Sequence, residues 1–195
     1  MSVSTTRKDI GKTPSITELI LAAGKLKTTK RTGWYRKVGI EECESVADHS
    51  YRTALIACAL SEEMGLDSGK VARMCLLHDL AESQIGDLMP EEKNSFADHR
   101  ESEDRAMRSI LGTLPNRVKK RFLSDWKELL ANKTSEARLS WQVDKMEMGL
   151  QSIEYVALGY DKVRLSEFSR GRELPKKMQR ILGSYMPQRN LNKKS

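Results

Sequence analysis

The chain has 195 residues, 38% of them hydrophobic and 31% charged, with 34 Lys and Arg against 27 Asp and Glu for a net charge of +7. That length suits a single domain, able to bury roughly 70% of its unfolded surface without disulfide staples. No apolar run approaches the ~20 residues of a bilayer-spanning helix, so no membrane partner is expected. The opening stretch carries charge without the apolar core of a secretory signal. Cys43, Cys58 and Cys75 contain no CxxC pair and are odd in number, the pattern of reduced thiols in a cytoplasm. The positive excess is compatible with a nucleic acid, a membrane surface or a phosphorylated substrate. Because the basic residues are interleaved with acidic ones and aromatics are only 6%, a solvated surface is expected and a nucleic-acid partner is not.

In chain order, residues 1–13 are polar and basic without periodicity, and a disordered tail is expected there. Ile16, Leu19, Ile20, Ala23 and Leu26 keep a helical spacing. A loop from Thr28 to Glu44 carries Trp34 and Tyr35. The stripe Val46, Thr53, Ile56, Ala57, Leu60, Met64 predicts the next helix, with Gly65 placed to end it. Asp67 or Ser68 can cap a helix carrying Val71, Met74, Cys75, Leu77 and Ala81. Gly86 marks a turn, Pro90 fits the first turn of a charged helix toward Leu114, and Pro115 separates that helix from one through Val118, Phe122, Trp126 and Leu129. Thr134 and Ser135 can cap a long helix from about Glu136 to Gly159, and a shorter one spans Leu174 to Tyr185. No period-two β-branched run and no internal repeat interrupts this pattern. The expectation is a compact all-α domain of six or seven helices over 14–187, followed by a basic tail at 188–195.

Polar residues occupy three of the apolar stripes. His49 falls on the Val46–Thr53–Ile56–Leu60 face. His78 and Glu82 continue the Val71–Cys75 face at steps of three and four, with Asp79 beside His78. Asp144 follows Ala137 and Trp141 and precedes Met148 on the long helix. An unpaired buried carboxylate costs several kcal/mol at least, so each needs a partner. A hydrogen-bonded core histidine and an Asp paired with Arg52, Arg73 or Arg138 would satisfy these residues singly. Convergence of two histidines and two aspartates from three helices instead suits a divalent cation.

The order His49, His78-Asp79, Asp144 resembles the H…HD…D signature of the HD-domain superfamily. Lys30-Arg31-Thr32-Gly33-Trp34, the segment from Glu44 to Arg52, and His78-Asp79-Leu80-Ala81-Glu82 with Gly86-Asp87-Leu88 are similar to its 5′-deoxynucleotidase branch, from about Leu26 to Gly159. The resemblance implies an HD-domain helical bundle in which His49, His78, Asp79 and Asp144 hold one divalent metal ion. The mixed nitrogen and oxygen set favours Mn²⁺, Co²⁺, Fe²⁺, Ni²⁺ or Mg²⁺, with Zn²⁺ also compatible. It further implies that Glu82 and Asp87 are the acid/base carboxylates, that Arg31 binds phosphate, and that the protein is a homodimer. Trp34 and Tyr35 line the sugar or base pocket or anchor the loop to the core. Thr32 stands where the bacterial branch has a tryptophan that helps to exclude the ribose 2′-hydroxyl, so phosphomonoester hydrolysis is implied more firmly than a deoxyribose preference. His99 lies outside the signature and is expected at the surface. The implied activity is metal-dependent hydrolysis of (deoxy)nucleoside 5′-monophosphates. The alternatives are a phosphodiesterase acting on a cyclic or dinucleotide substrate and a non-catalytic regulatory or nucleic-acid-binding HD fold.

Overall fold

A computed structural model of the protein describes residues 14–89, 91–92, 99–168 and 174–185. The expected terminal tails and the placing of Pro90 lie outside the described residues. Among those residues the secondary structure is helical, with α1 (Thr17–Leu26), a single π-helical turn (Trp34–Val38), α2 (Val46–Glu63), α3 (Ser68–Leu77), α4 (Glu82–Ile85), α5 (His99–Gly112), α6 (Asn116–Ala131), α7 (Ser135–Ala157), α8 (Lys162–Ser166) and α9 (Lys176–Ser184). Six of these helices have ten or more residues and α9 has nine, which matches the six or seven expected from periodicity. The four- and five-residue helices α4 and α8 are too short to leave a period. None of the described helices is long and apolar enough to cross a membrane.

The helix starts follow local side-chain chemistry. Ser45 and Asp48 form a reciprocal capping box at the head of α2: the Asp48 N–H donates to Ser45 Oγ at 3.1 Å and the Ser45 N–H to Asp48 Oδ2 at 2.9 Å. Asp67 accepts the Lys70 N–H at the start of α3, and Thr134 accepts the Ala137 N–H at the start of α7. Each cap fixes where its helix begins, and so sets the rotational phase at which His49, His78 and Asp144 face inward.

Helices α2, α3 and α7 pack on one another at the centre. On one side Met74 and Leu77 of α3 meet Met107, Ile110 and Leu111 of α5 and Trp126 and Leu129 of α6. On the other, Ala57 and Leu60 of α2, Val71 and Cys75 of α3, and Leu139, Val143 and Met146 of α7 pack with Met178 of α9. A third cluster joins Trp34, Val38 and Ile40 to Tyr155, Leu165 and Phe168.

Two local features depart from the sequence reading. The loop from Thr28 to Glu44 is not irregular throughout: it closes on itself through a Lys30–Ser45 bridge and contains the π-helical turn. Helix α3 does not run on through Glu82. It ends at Leu77, and the chain tightens through i→i−3 bonds, from the Leu80 N–H to Leu77 O at 3.2 Å and from the Glu82 N–H to Asp79 O at 3.0 Å. At three residues per turn, side chains three apart lie on one side, which brings Asp79 and Glu82 together and breaks the expected alignment of Glu82 with Val71 and Cys75.

Candidate metal centre and adjoining cavity

His49 and Asp144 reach the same point from α2 and α7, and His78 with Asp79 from the tightened end of α3. Nε2 of His49 lies 3.2 Å from Nε2 of His78 and 3.1 Å from Asp144 Oδ1. Nε2 of His78 lies 3.1 Å from Asp79 Oδ2 and 3.7 Å from Asp144 Oδ1. The other ring nitrogens are occupied: His78 Nδ1 donates to the Cys75 carbonyl at 2.5 Å, and His49 Nδ1 to the Glu147 carboxylate. With Nδ1 as donor, the neutral form of each ring presents a bare lone pair at Nε2. Two lone pairs and two carboxylates therefore crowd one small volume, a donor set that fits a divalent cation.

The electrostatics report the same crowding. Burial and the Arg31 charge push the His49 imidazole down, yet the hydrogen bonds that the Asp144 and Glu147 carboxylates accept from it outweigh them and hold it up at about 10. A proton on Nε2 then stands where a cation would. Asp79 is buried, which raises a carboxyl, but the charges of His78 and Arg31 keep it well below the usual range. Asp144 is likewise lowered against its burial by the His49 hydrogen bond and the His78 charge. The cluster is built for positive charge at its centre.

Beside it, Arg31 Nη1 lies 2.9 Å from Asp79 Oδ2, 3.6 Å from Asp87 Oδ1 and 3.9 Å from Glu82 Oε2. Burial alone would lower the guanidinium, but these carboxylates raise it further above its already high value. Asp87 is held in place from the same loop, because the Thr32 N–H donates to Asp87 Oδ2 at 2.5 Å and the Thr32 hydroxyl to the Asp87 carbonyl at 2.6 Å. Gly86 precedes it at φ +81°, ψ 162°, a conformation open essentially to glycine alone. Ion pairs of Arg36 with Glu92 and of Lys37 with Glu91 tie the π-helical turn to the segment beyond Asp87.

A cavity of about 480 Å³ opens onto this group, lined among others by Arg31, Asp87, Trp141, Asp144, Met148 and Phe168. Its size lies within the range of small-molecule sites, and it combines aromatic and thioether walls with a charged end.

His49, His78, Asp79, Asp144, Glu82, Asp87, Arg31 and Trp34 thus meet in one region. Trp34 is the one whose surroundings favour the second of its two readings. It also lines the cavity, but it is 1% exposed, its indole N–H donates to Glu44 Oε1 at 2.8 Å, and its ring centroid is 4.1 Å from that of Phe168. It anchors the loop that carries Arg31. Tyr35 is exposed. His99 is a correction: only 12% of its side chain is exposed, and Nε2 lies 3.1 Å from Glu103 Oε1 one helical turn on. Arg52 and Arg73 do not neutralise Asp144. Arg52 pairs with Glu147 and Glu154, and Arg73 with Asp125.

The sequence reading missed Glu147, and it named Arg52 only as a partner for an aspartate and Glu44 only as the start of a matching segment. Glu147 follows Asp144 by three residues, so helical spacing alone allowed it to be inward, but the apolar Met148 was the more natural continuation. The structure buries Glu147 completely and leaves Met148 half-buried. Glu44 accepts the Trp34 N–H, and its burial, with the Glu147 charge next, pushes its carboxyl up to about 7.

The sequence matches the HD-domain family over residues 23–182, and the chain belongs to that family. Among curated proteins it is 37% identical over 161 residues to the 5′-deoxynucleotidase HDDC2 of Dictyostelium discoideum, covering 77% of this chain and 84% of the relative. It is 34% identical over 155 residues to the human protein of the same name, covering 79% and 74%. Among solved structures, a predicted metal-dependent phosphohydrolase from Magnetospirillum magnetotacticum superposes with a TM-score of 0.64 at 25% identity, over 86% of this chain and 87% of the other.

Proposed function

We propose that this protein is a metal-dependent phosphomonoesterase that hydrolyses deoxynucleoside 5′-monophosphates to the nucleoside and phosphate. The observation that carries this reading is the pair of imidazole Nε2 atoms 3.2 Å apart among carboxylates, set beside a largely covered arginine at the charged end of a nucleotide-sized cavity. The similarity to curated 5′-deoxynucleotidases over most of both chains supports the substrate class.

In this reading His49, His78, Asp79 and Asp144 hold one divalent ion. Mn²⁺, Co²⁺, Fe²⁺, Ni²⁺ and Mg²⁺ suit a nitrogen and oxygen set without thiolate. Such an ion, when bound, supplies Lewis acidity that polarises the phosphoryl oxygen. Arg31 grips a phosphate oxygen through its fork of N–H donors, exchanging part of its hold on Asp79, Asp87 and Glu82 for the substrate dianion. Of Glu82 and Asp87, one takes the proton of the attacking water and the other protonates the departing 5′-oxygen, a poor leaving group without it. The sugar and base extend along the wall formed by Trp141, Met148 and Phe168. Self-association as a homodimer is part of the proposal: Ile20 and Leu21 on α1 and Tyr51 and Leu55 on α2 stay exposed, and sedimentation reads the assembly directly. A reducing, cytoplasmic setting agrees with three free cysteines.

The test is metal analysis of the purified protein with phosphate-release assays across the deoxynucleoside and nucleoside monophosphates. Release from the deoxy forms is expected. Its absence for every nucleotide in the presence of Mn²⁺ or Co²⁺ overturns the proposal. Asp144→Ala is expected to abolish metal binding and phosphate release together while leaving helix content by circular dichroism intact. Activity that survived this change would remove Asp144 from the ligand set.

A further inference from the structure

We propose that Glu147 is a positioning residue for the metal centre: its carboxylate, clamped by Arg52, holds His49 in the tautomer that leaves Nε2 bare. The proposal rests on the reading of His49 as a ligand and adds to it the group that makes it one.

Both residues of the pair are fully buried. Glu147 Oε2 accepts from His49 Nδ1. Its other oxygen, Oε1, accepts from Arg52 Nε at 2.7 Å and lies 2.6 Å from Arg52 Nη2. The guanidinium is itself held, since Nη1 donates to both Glu154 oxygens at 2.8 and 2.9 Å and Nη2 to Gln151 Oε1 at 2.7 Å. Tyr185 donates its hydroxyl to Glu154 Oε1 at 2.5 Å. Glu147, Gln151 and Glu154 stand at steps of four and three on α7, one face of the helix, and Arg52 follows His49 by three residues on α2. One α2 turn therefore delivers both the ligand and the cation that holds its partner.

The need for such a partner follows from the opposite side of the ring. Asp144 Oδ1 lies 3.1 Å from His49 Nε2 and would itself accept a proton placed there. A neutral imidazole has one N–H, and the stronger acceptor determines which nitrogen carries it. Glu147 draws the proton to Nδ1, so the lone pair faces His78, Asp79 and Asp144. His78 solves the same problem with the Cys75 carbonyl, a neutral acceptor. Carboxylates behind ligating histidines have this effect generally, and losing one typically costs 10–100-fold in metal affinity. Glu44, His49 and Glu147 also lie close enough together to suggest a second ion. Arg52 already meets the Glu147 charge and the Trp34 N–H occupies Glu44 Oε1, which assigns the trio to orientation instead.

The test compares Glu147→Gln with Glu154→Gln by Mn²⁺ titration calorimetry on the full chain. Both loosen the Arg52 network, but only the first alters the group behind His49. Glu147→Gln is expected to weaken Mn²⁺ binding by at least about tenfold, and Glu154→Gln by less than about threefold. Equal affinity of Glu147→Gln and parent, or equal losses in both variants, overturns the proposal. A measurement on the unaltered chain guards against a variant that fails to fold: with diamagnetic Zn²⁺ bound, ¹⁵N NMR is expected to show the His49 proton on Nδ1, and a proton on Nε2 overturns the proposal. A parent chain that binds no divalent ion overturns the metal-centre reading and this one together. Binding by the parent without the Glu147 effect overturns this one alone.

Discussion

At the scale of single residues, the site consists of charges that tolerate burial only in one another's company. Arg31 meets three carboxylates through Nη1, and in the proposed function the rest of its planar fork serves a phosphate. Arg31→Lys keeps the charge but loses the fork. It is expected to raise KM for a nucleoside monophosphate by roughly tenfold or more, about 1.4 kcal/mol, with little change in melting temperature. An unchanged KM in steady-state assays would show that the arginine does not grip the phosphate. Glu44 gives a test by pH. Its folded value of about 7 lies above its ordinary 4.5, so folding favours the protonated form. Below the ordinary value the group is neutral in both states and burial penalises nothing. As pH rises through the window between the two values the unfolded chain ionises first, and stability contributed by this group is lost until the folded pKa is passed. Glu44→Gln retains an acceptor for Trp34 and has no charge to bury. It is expected to match the parent near pH 4 and to be the more stable of the two near pH 8, by urea unfolding in the presence of a chelator. A difference that does not vary with pH would contradict this.

At the scale of elements, short departures from regular geometry place the chemistry. The tightening after Leu77 turns Asp79 and Glu82 to one side, and the Gly86 turn then delivers Asp87 to the Thr32 amide. Gly86 has open space where a Cβ would stand, so its constraint is purely conformational. Gly86→Ala is expected to cost about 1–3 kcal/mol of stability and to lower kcat by up to roughly a hundredfold through displacement of Asp87. Gly24→Ala, on an exposed stretch of α1 with equally open surroundings but ordinary helical geometry, is expected to gain about 0.5–1 kcal/mol and leave kcat alone. Thermal melts with initial-rate assays on both variants check the pair, and like effects from the two substitutions would contradict it. Gly33 answers a different demand, close approach: a Cβ there would come within 2.9 Å of the Phe168 ring, which packs on Trp34 and steadies the turn after Arg31.

At the scale of the whole molecule, the net charge of +7 coexists with a site that gathers Glu82, Asp79, Asp87, Asp144 and Glu147. The local negative charge calls for a bound cation and Arg31, while the surplus positive charge lies elsewhere on the molecule and favours approach of a dianionic nucleotide. Raising ionic strength from about 0.05 to 0.5 M is therefore expected to lower kcat/KM several-fold while kcat changes little. A salt-independent kcat/KM would rule out steering by the surface charge.

Apolar spacing and cap residues were enough to place α2, α6 and α7 to within a few residues, because each depends on neighbours three or four positions away. Three of the four candidate ligands, His49, His78 and Asp144, were legible for the same reason, each being a polar residue on an otherwise apolar stripe, and Asp79 by its place beside His78. The partner across the interface was not legible, since periodicity reports which way a side chain faces and nothing of what it meets. Hence Glu147 went unseen behind the more hydrophobic Met148, although its spacing from Asp144 was compatible with burial. Tertiary contact alone brought Trp34 against Glu44 and Phe168, which favours its anchoring reading, and covered His99. The break at His78 likewise depends on structure, because a tightened turn and a continuing helix share one local sequence pattern. What the chain by itself determined was the candidate set of polar groups proposed to hold a cation and a phosphate. What only the folded structure decided was how each is oriented, because orientation depends on charges such as half-buried Arg52 and buried Glu147 that become partners only when α2 and α7 pack.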